Sequence, residues 1–142
     1  MQQNLLLIVD GSGYIFRSYY AIPKTMMIDG VLINAAYGFC FSILKLINDL
    51  KPNYFAIVFD AGKRTFRHRL DPNYKTHRPS VPIDLIAQFS IIDNFVDALN
   101  IVKFKKTGFE ADDIIGTLIK RIHSLLVKLI WKDYTNFLVC RR

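Results

Sequence analysis

Two apolar runs in this chain end in the same residue type. Residues 5–9, Leu-Leu-Leu-Ile-Val, run into Asp10, and residues 54–59, Tyr-Phe-Ala-Ile-Val-Phe, run into Asp60. A third acidic group, Glu110, Asp112 and Asp113, sits inside the stretch Gly108-Phe109-Glu110-Ala111-Asp112-Asp113-Ile114-Ile115-Gly116. Each has an ordinary explanation. An aspartate suits the place where a strand meets its turn, and acids in a first helical turn favour the helix dipole by about 0.3–1 kcal/mol each. Together they allow another reading. Glu110 and Asp113, three residues apart, share one helix face. If that helix start meets the ends of both runs, five carboxylates converge. Two carboxylates about 6 Å apart repel by about 3 kcal/mol at an effective dielectric of 20, so five need cations. Oxygen donors without His or Cys select Mg²⁺ or Mn²⁺ over zinc. Mg²⁺ usually works on phosphates, and a carboxylate metal site in a basic protein points to phosphodiester chemistry.

The second feature is residues 63–78, Lys-Arg-Thr-Phe-Arg-His-Arg-Leu-Asp-Pro-Asn-Tyr-Lys-Thr-His-Arg. Six basic residues against one acid give +5 of the chain's net +7. A charge run of this kind is often only a solvated surface loop. Interleaved Phe66 and Tyr74 favour nucleic acid, because bases stack on rings while Lys and Arg hold phosphates. His68 and His77 lack a metal-like partner set and read as surface residues.

These residues need elements to position them. The 142 residues suit a single domain spanning residues 1–142. A hydrophobic fraction of 51% excludes disorder as the main state, and only 7 Gly and 5 Pro exclude collagen-like and Pro/Gly-rich classes. Continuous apolar runs are the mark of parallel strands buried on both faces. Strands are predicted at residues 5–9, 54–59 and 101–104. Gly11-Ser12-Gly13 breaks the first, and a short aromatic-rich helix begins around residues 14–20. Residues 24–34 form a loop with a turn at Asp29-Gly30. Helices follow over residues 35–50, capped by Asn34 with Tyr37, Phe41, Leu44 and Ile47 on the apolar face, over residues 83–99, and from near Glu110 to at least Ile122. Lys51-Pro52-Asn53 stops the first of these three. Alternating strands and helices argue for an α/β fold with a mainly parallel sheet, in which ligands bind outside the carboxyl ends of the strands, where Asp10 and Asp60 fall. No apolar run approaches the roughly 18–20 residues of a membrane span. Cys40, in a helical apolar pattern, reads as a buried thiol. It and Cys140 lie far apart, belong to no metal motif and fit a reducing, cytoplasmic location.

Four blocks in order resemble a known family. They are Leu7-Ile8-Val9-Asp10-Gly11-Ser12 with Arg17 in the stretch from Tyr14 to Tyr20, and Val58-Phe59-Asp60 followed by Lys63 and Thr65-Phe66-Arg67. Then come Tyr74-Lys75-Thr76-His77-Arg78-Pro79 and Gly108 to Leu118. Over about residues 5–122 the chain resembles the 5′–3′ exonuclease domain of bacterial DNA polymerase I, a relative of flap endonucleases. The resemblance implies a PIN-like, flap-endonuclease-type α/β fold and divalent-metal cleavage of DNA at a 5′ end or 5′ flap, in repair and replication. It implies that Asp10, Asp60, Glu110, Asp112 and Asp113 are metal ligands. It assigns Tyr74, Lys75 and Arg78 to an arch over the site, with Lys75 and Arg78 steering the scissile phosphate. Arg17, Lys63, Arg64 and Arg67 join these three as expected DNA contacts.

The chain also departs from the family. The family domain continues for over a hundred residues, with an Asp-x-Asp pair of further metal ligands and a duplex-gripping module. Residues 123–142 diverge, and Trp131-Lys132-Asp133-Tyr134 resembles only weakly the expected Asp-Lys-Asp. The expectation is therefore a sheet incomplete at the C-terminus, an exposed edge prone to association, and cleavage far slower than that of an intact relative. A catalytically dead DNA-binding remnant, a split protein completed by a separate chain, and a PIN-like RNase or unrelated metal-dependent phosphatase are the other readings.

Overall fold

The computed structural model describes residues 4–62, 64–129 and 135–140. The element order is β1 (Asn4–Asp10), α1 (Gly11–Ala21), β2 (Met27–Ile28), β3 (Val31–Leu32), α2 (Asn34–Leu50), β4 (Tyr54–Phe59), α3 (Arg67–Leu70), α4 (Ile83–Ala98), β5 (Val102–Lys105), α5 (Ala111–Leu129) and β6 (Thr135–Cys140). The chain divides into two compact units. One holds the residues up to Gly11, Pro52–Tyr74 and those from Val102 on; the other holds Ser12–Lys51 and Lys75–Ile101.

The first unit is built on a sheet of order β5-β4-β1-β6, in which every neighbouring pair is parallel. Leu7, Ile8 and Val9 of β1 and Ile57 and Val58 of β4 are all buried, which is why both strands read as unbroken apolar runs instead of alternating ones. Asn53 starts the β1–β4 pairing: its N–H donates to Leu5 O at 2.9 Å, and its side-chain oxygen accepts from Leu5 N at 2.8 Å. On one face, Ala111 and Ile115 of α5 pack on Ile8 and Val58, with Leu6, Phe104, Ile114, Leu118, Ile119 and Ile122 around them. The spacing 111, 115, 118, 119, 122 is the stripe of a helix lying on a sheet. β6 adds a parallel partner to β1 in a region whose sequence left strand and tail undecided. The weak Asp-Lys-Asp resemblance at residues 131–134 lies outside the described residues, as does Lys63.

The Gly11-Ser12-Gly13 break turns out to be the first turn of α1, which starts directly after β1. Gly11 permits this: a Cβ there would meet Phe59 Cε1 at 2.5 Å and Ile57 Cγ2 at 2.6 Å.

The second unit contains α1 from Ser12 on, the hairpin β2–β3, α2 and α4. Asp29 (φ 50°) and Gly30 (φ 76°) both take positive φ, the two-residue turn that joins twisted antiparallel strands. Lys51 ends α2 in the left-handed conformation, its N–H donating to Ile47 O at 2.9 Å. α2 does not bury the face its periodicity suggested. Tyr37, Phe41 and Leu44 are exposed, whereas Ala35, Ala36, Phe39 and Ile43 are buried. Phe39 meets Phe95 of α4 edge to face at 6.4 Å, and α4 buries Leu85, Ile92 and Val96. The buried face also passes Gly38, where a Cβ would meet Ile22 Cδ1 and, at 2.8 Å, Ser18 Cβ, so this side of α2 is the one that lies close against neighbouring chain.

Asn34 is likewise no cap. It is fully buried, its amide donates to Tyr19 O (2.9 Å) and Ile22 O (3.1 Å), and its carbonyl oxygen accepts from Gln88 Nε2 (3.1 Å). Gln88 takes over the capping role from α4, its Oε1 accepting from Ala36 N at 3.0 Å. Each buried polar atom is thereby paired, which a buried amide pair requires. Nearby, Asp84 accepts from Tyr19 OH (2.8 Å) and Lys24 Nζ (2.9 Å); Lys24 and then Tyr19 hold its carboxyl below the usual carboxylate range.

Two expected outcomes test this packing. Gln88→Leu strands Ala36 N–H and the Asn34 carbonyl oxygen. It should lower stability by about 1–3 kcal/mol for each group left unpaired, read as a fall in the urea midpoint at unchanged slope. Gly11→Ala should cost about 1–3 kcal/mol of overpacking, more than the gain of under about 1 kcal/mol from removing a helical glycine, so thermal unfolding should move down, not up.

Candidate functional site

All five predicted acids lie in the first unit, at the carboxyl end of its strands. Asp10 closes β1 and pairs in register with Val58, two residues short of Asp60, which directly follows β4. Lys105, the last residue of β5, pairs with Phe59, so the chain leaves β5 at the same edge and turns into α5.

The start of α5 organises the acids. Glu110 is the residue before the helix, its carbonyl accepting from Asp113 N (3.1 Å) and Ile114 N (3.3 Å). Asp113 reaches back, and its Oδ2 accepts from Glu110 N at 3.0 Å, the return arm of a capping box. Asp60 Oδ1 accepts from Ala111 N at 2.7 Å. Two carboxylates thus take up N–H groups that a helix start leaves without partners. Asp112, between them in sequence, is exposed.

Part of the basic segment folds onto this acidic start. Phe66 N donates to Gly108 O at 3.0 Å, and the Phe66 and Phe109 rings lie 5.9 Å apart. This fixes Arg67 at the head of α3. Its guanidinium binds Asp113 through both nitrogens, Nη1 to Oδ2 at 2.5 Å and Nη2 to Oδ1 at 2.6 Å, and Nη1 stands 3.9 Å from Glu110 Oε2. The guanidinium carbon also sits 4.7 Å over the Phe66 ring. The hydrogen bonds to Asp113 push the Arg67 pKa up from an already high value. Tyr74 OH donates to Glu110 Oε2 at 3.2 Å. His68 packs its ring edge-on to Tyr74 at 5.4 Å, and its Nδ1 accepts from Thr65 N at 3.1 Å. It is half-buried, not a surface residue, while His77 is exposed.

The remaining predicted contacts fall elsewhere. Arg64 is exposed in the first unit. Arg17, Lys75 and Arg78 belong to the second unit. Arg17 is exposed with its guanidinium 5.1 Å over the Tyr14 ring, Lys75 takes φ 60°, and Arg78 is exposed. Cys40 is half-buried, and burial pushes its thiol up.

The donor chemistry of the acids, oxygen without nitrogen or sulfur, fits a hard divalent cation. The spacing as folded does not close a site: among the described residues, no three His, Cys, Asp or Glu side chains group closely enough to hold one ion. The cation seated there is Arg67. Sequence reasoning placed Arg67 toward DNA and missed this pairing, since 46 residues separate it from Asp113 and no local spacing signals it. The Asp113–Glu110 link was readable, because an acid three residues after a helix cap is a capping signal.

Comparison with known proteins gives one family. The model of the 5′–3′ exonuclease N-terminal, resolvase-like domain matches residues 5–134. DNA polymerase I of Bacillus subtilis is 40% identical over 119 residues, which is 84% of this chain and 14% of that protein. DNA polymerase I of Rhizobium leguminosarum is 42% identical over 120 residues, 79% of this chain and 12% of that one. Among solved structures, the bacteriophage T5 flap endonuclease in a pseudo-enzyme-product complex with DNA and metal ions superposes with TM-score 0.66 at 22% identity. That match covers 96% of this chain and 48% of that one. The T5 5′-exonuclease with bound zinc ions gives the same TM-score, identity and coverage. This chain thus spans a small part of the polymerases and about half of the phage nuclease. The fold match, the family model and the polymerase identities agree: the chain belongs to the 5′–3′ exonuclease family, as its N-terminal, resolvase-like domain.

Proposed function

We propose that this chain acts on DNA bearing a 5′ end or 5′ flap, as a metal-dependent phosphodiesterase using Mg²⁺ or Mn²⁺. The observation that carries this reading is the gathering of Asp10, Asp60, Glu110, Asp112 and Asp113 at the carboxyl edge of one parallel sheet, in a chain of net charge +7. These five acids are the proposed metal ligands. When bound, the divalent ion supplies Lewis acidity toward the phosphodiester and offsets its charge.

The chain's own residues do the rest. Lys75 and Arg78 stabilise charge on the phosphoryl oxygens. Arg17, Lys63, Arg64 and Arg67 neutralise backbone phosphates, and Tyr74 offers a ring on which a base stacks. No protein nucleophile is needed: water adds to phosphorus and loses a proton, one P–O ester bond breaks, and the leaving oxygen takes up a proton, giving a phosphate monoester and a hydroxyl. The relatives' whole-protein activities belong to chains much longer than this one.

The decisive experiment is incubation of the purified chain with 5′-end-labelled flap DNA and Mg²⁺, beside Asp112→Ala. Cleavage at the flap junction by the wild type and its loss in the variant are expected. Binding without cleavage would favour a DNA-binding role alone, and preference for the same strand made of RNA would favour a ribonuclease. Affinity should also fall with salt. If four to six cations of residues 63–78 meet single-strand phosphates, the slope of log K against log salt is about −3 to −4. Lys75→Ala with Arg78→Ala should flatten that slope by about 1 to 2. A slope near zero would remove the assignment of this segment to DNA.

A further inference from the structure

Three features of the Arg67 pair set it apart from a surface ion pair. It is bidentate, with both carboxylate oxygens of Asp113 engaged at 2.5 and 2.6 Å. It is sheltered: the Arg67, Asp113 and Glu110 side chains are 31%, 17% and 15% exposed. It is also held from behind, by the Phe66 ring and by the Phe66 N–H bond to Gly108 O. These contacts place a fixed positive charge on two of the five acids proposed above as metal ligands.

We infer that Arg67 is an internal counter-ion that competes with the divalent metal for Asp113 and Glu110, so that metal loading displaces its guanidinium. The inference rests on the metal-site reading and deepens it. A metal ion takes carboxylate oxygens at about 2.0–2.6 Å. The guanidinium fork already engages both Asp113 oxygens, and two cations on the same oxygens repel at close range. Without metal, the guanidinium answers the mutual repulsion of the acids. With metal bound, its charge is released beside the site, where a phosphodiester is the natural anion for a planar fork. Metal and DNA affinities are then linked through one side chain, and the linkage is reciprocal. Tyr74 sits on the same Glu110 oxygen that faces Arg67, so its hydroxyl bond belongs to the same exchange.

The test is a calorimetric titration of the full chain with Mn²⁺, using wild type, Arg67→Gln, Arg67→Lys and Arg67→Gln combined with Asp112→Ala. Arg67→Gln is expected to bind Mn²⁺ about tenfold more tightly than wild type, within the usual range of coupling between sites. Arg67→Lys, which keeps the charge, should stay near wild type, and the added Asp112→Ala should abolish the gain. A second readout needs no folded variant. The Arg67 Nε resonance of ¹⁵N-labelled wild type should move on Mg²⁺ addition toward that of a solvated arginine. Equal or weaker binding by Arg67→Gln, with an unmoved resonance, would overturn the competition and leave the metal site standing. A gain that survives Asp112→Ala would place the ion elsewhere and overturn it as well. Absence of Mn²⁺ binding by every protein would overturn both the competition and the metal site.

Discussion

The start of α5 carries the rest of the first unit's chemistry. A helix leaves its first N–H groups without partners and carries about half a positive charge there. In this chain the partners are carboxylates: Asp60 takes the N–H of Ala111, and Asp113 takes that of Glu110. The first of these bonds ties the end of β4 to the helix that covers the sheet. Stability of the helix start and concentration of negative charge are therefore one event. The helix itself is seated by Ala111 and Ile115 on Ile8 and Val58, so the acids inherit their places from the apolar packing beneath them.

Concentrated acid needs positive charge, and the protein supplies it from within. The basic segment does not act as one strip. Its first part, with Arg67 and Tyr74, folds onto Asp113 and Glu110, while Lys75 and Arg78 belong to the second unit. One run of similar residues is thus divided: its Arg67 and Tyr74 bond to the acids, whereas Arg64 and Arg78 remain exposed.

The second unit solves a different problem with buried polar groups. Asn34 and Gln88 join α2 to α4 and to the end of α1 by five hydrogen bonds, four of them to backbone atoms. Such a network specifies one register between helices, since a shift of either would strand several groups at once. It also relieves α2 of any need for a local cap.

Much of this was written locally. The apolar runs at residues 5–9 and 54–59 marked β1 and β4, because parallel strands buried on both faces show no alternation. Asp10 and Asp60 at their ends, with Glu110, Asp112 and Asp113 at a helix start, marked the acids that share one sheet edge, and the four motif blocks marked the family. Short-range signals failed where a distant residue replaced a local one. Asn34 read as a cap until Gln88, 54 positions away, supplied the acceptor. Tyr37, Phe41 and Leu44 read as the buried face of α2, but the buried side carries Ala36, Phe39 and Ile43 and passes Gly38, where neighbouring chain comes too close for a Cβ. Gly11-Ser12-Gly13 read as a break, although at Gly11 the missing Cβ lets α1 start hard against β4 residues. The bond from Arg67 to Asp113 was not legible, because charge and neighbours say nothing of what lies 46 residues on. Sequence set which residues carry charge and which must be buried; only the tertiary fold decided which charges meet, because pairing energy depends on distance in space.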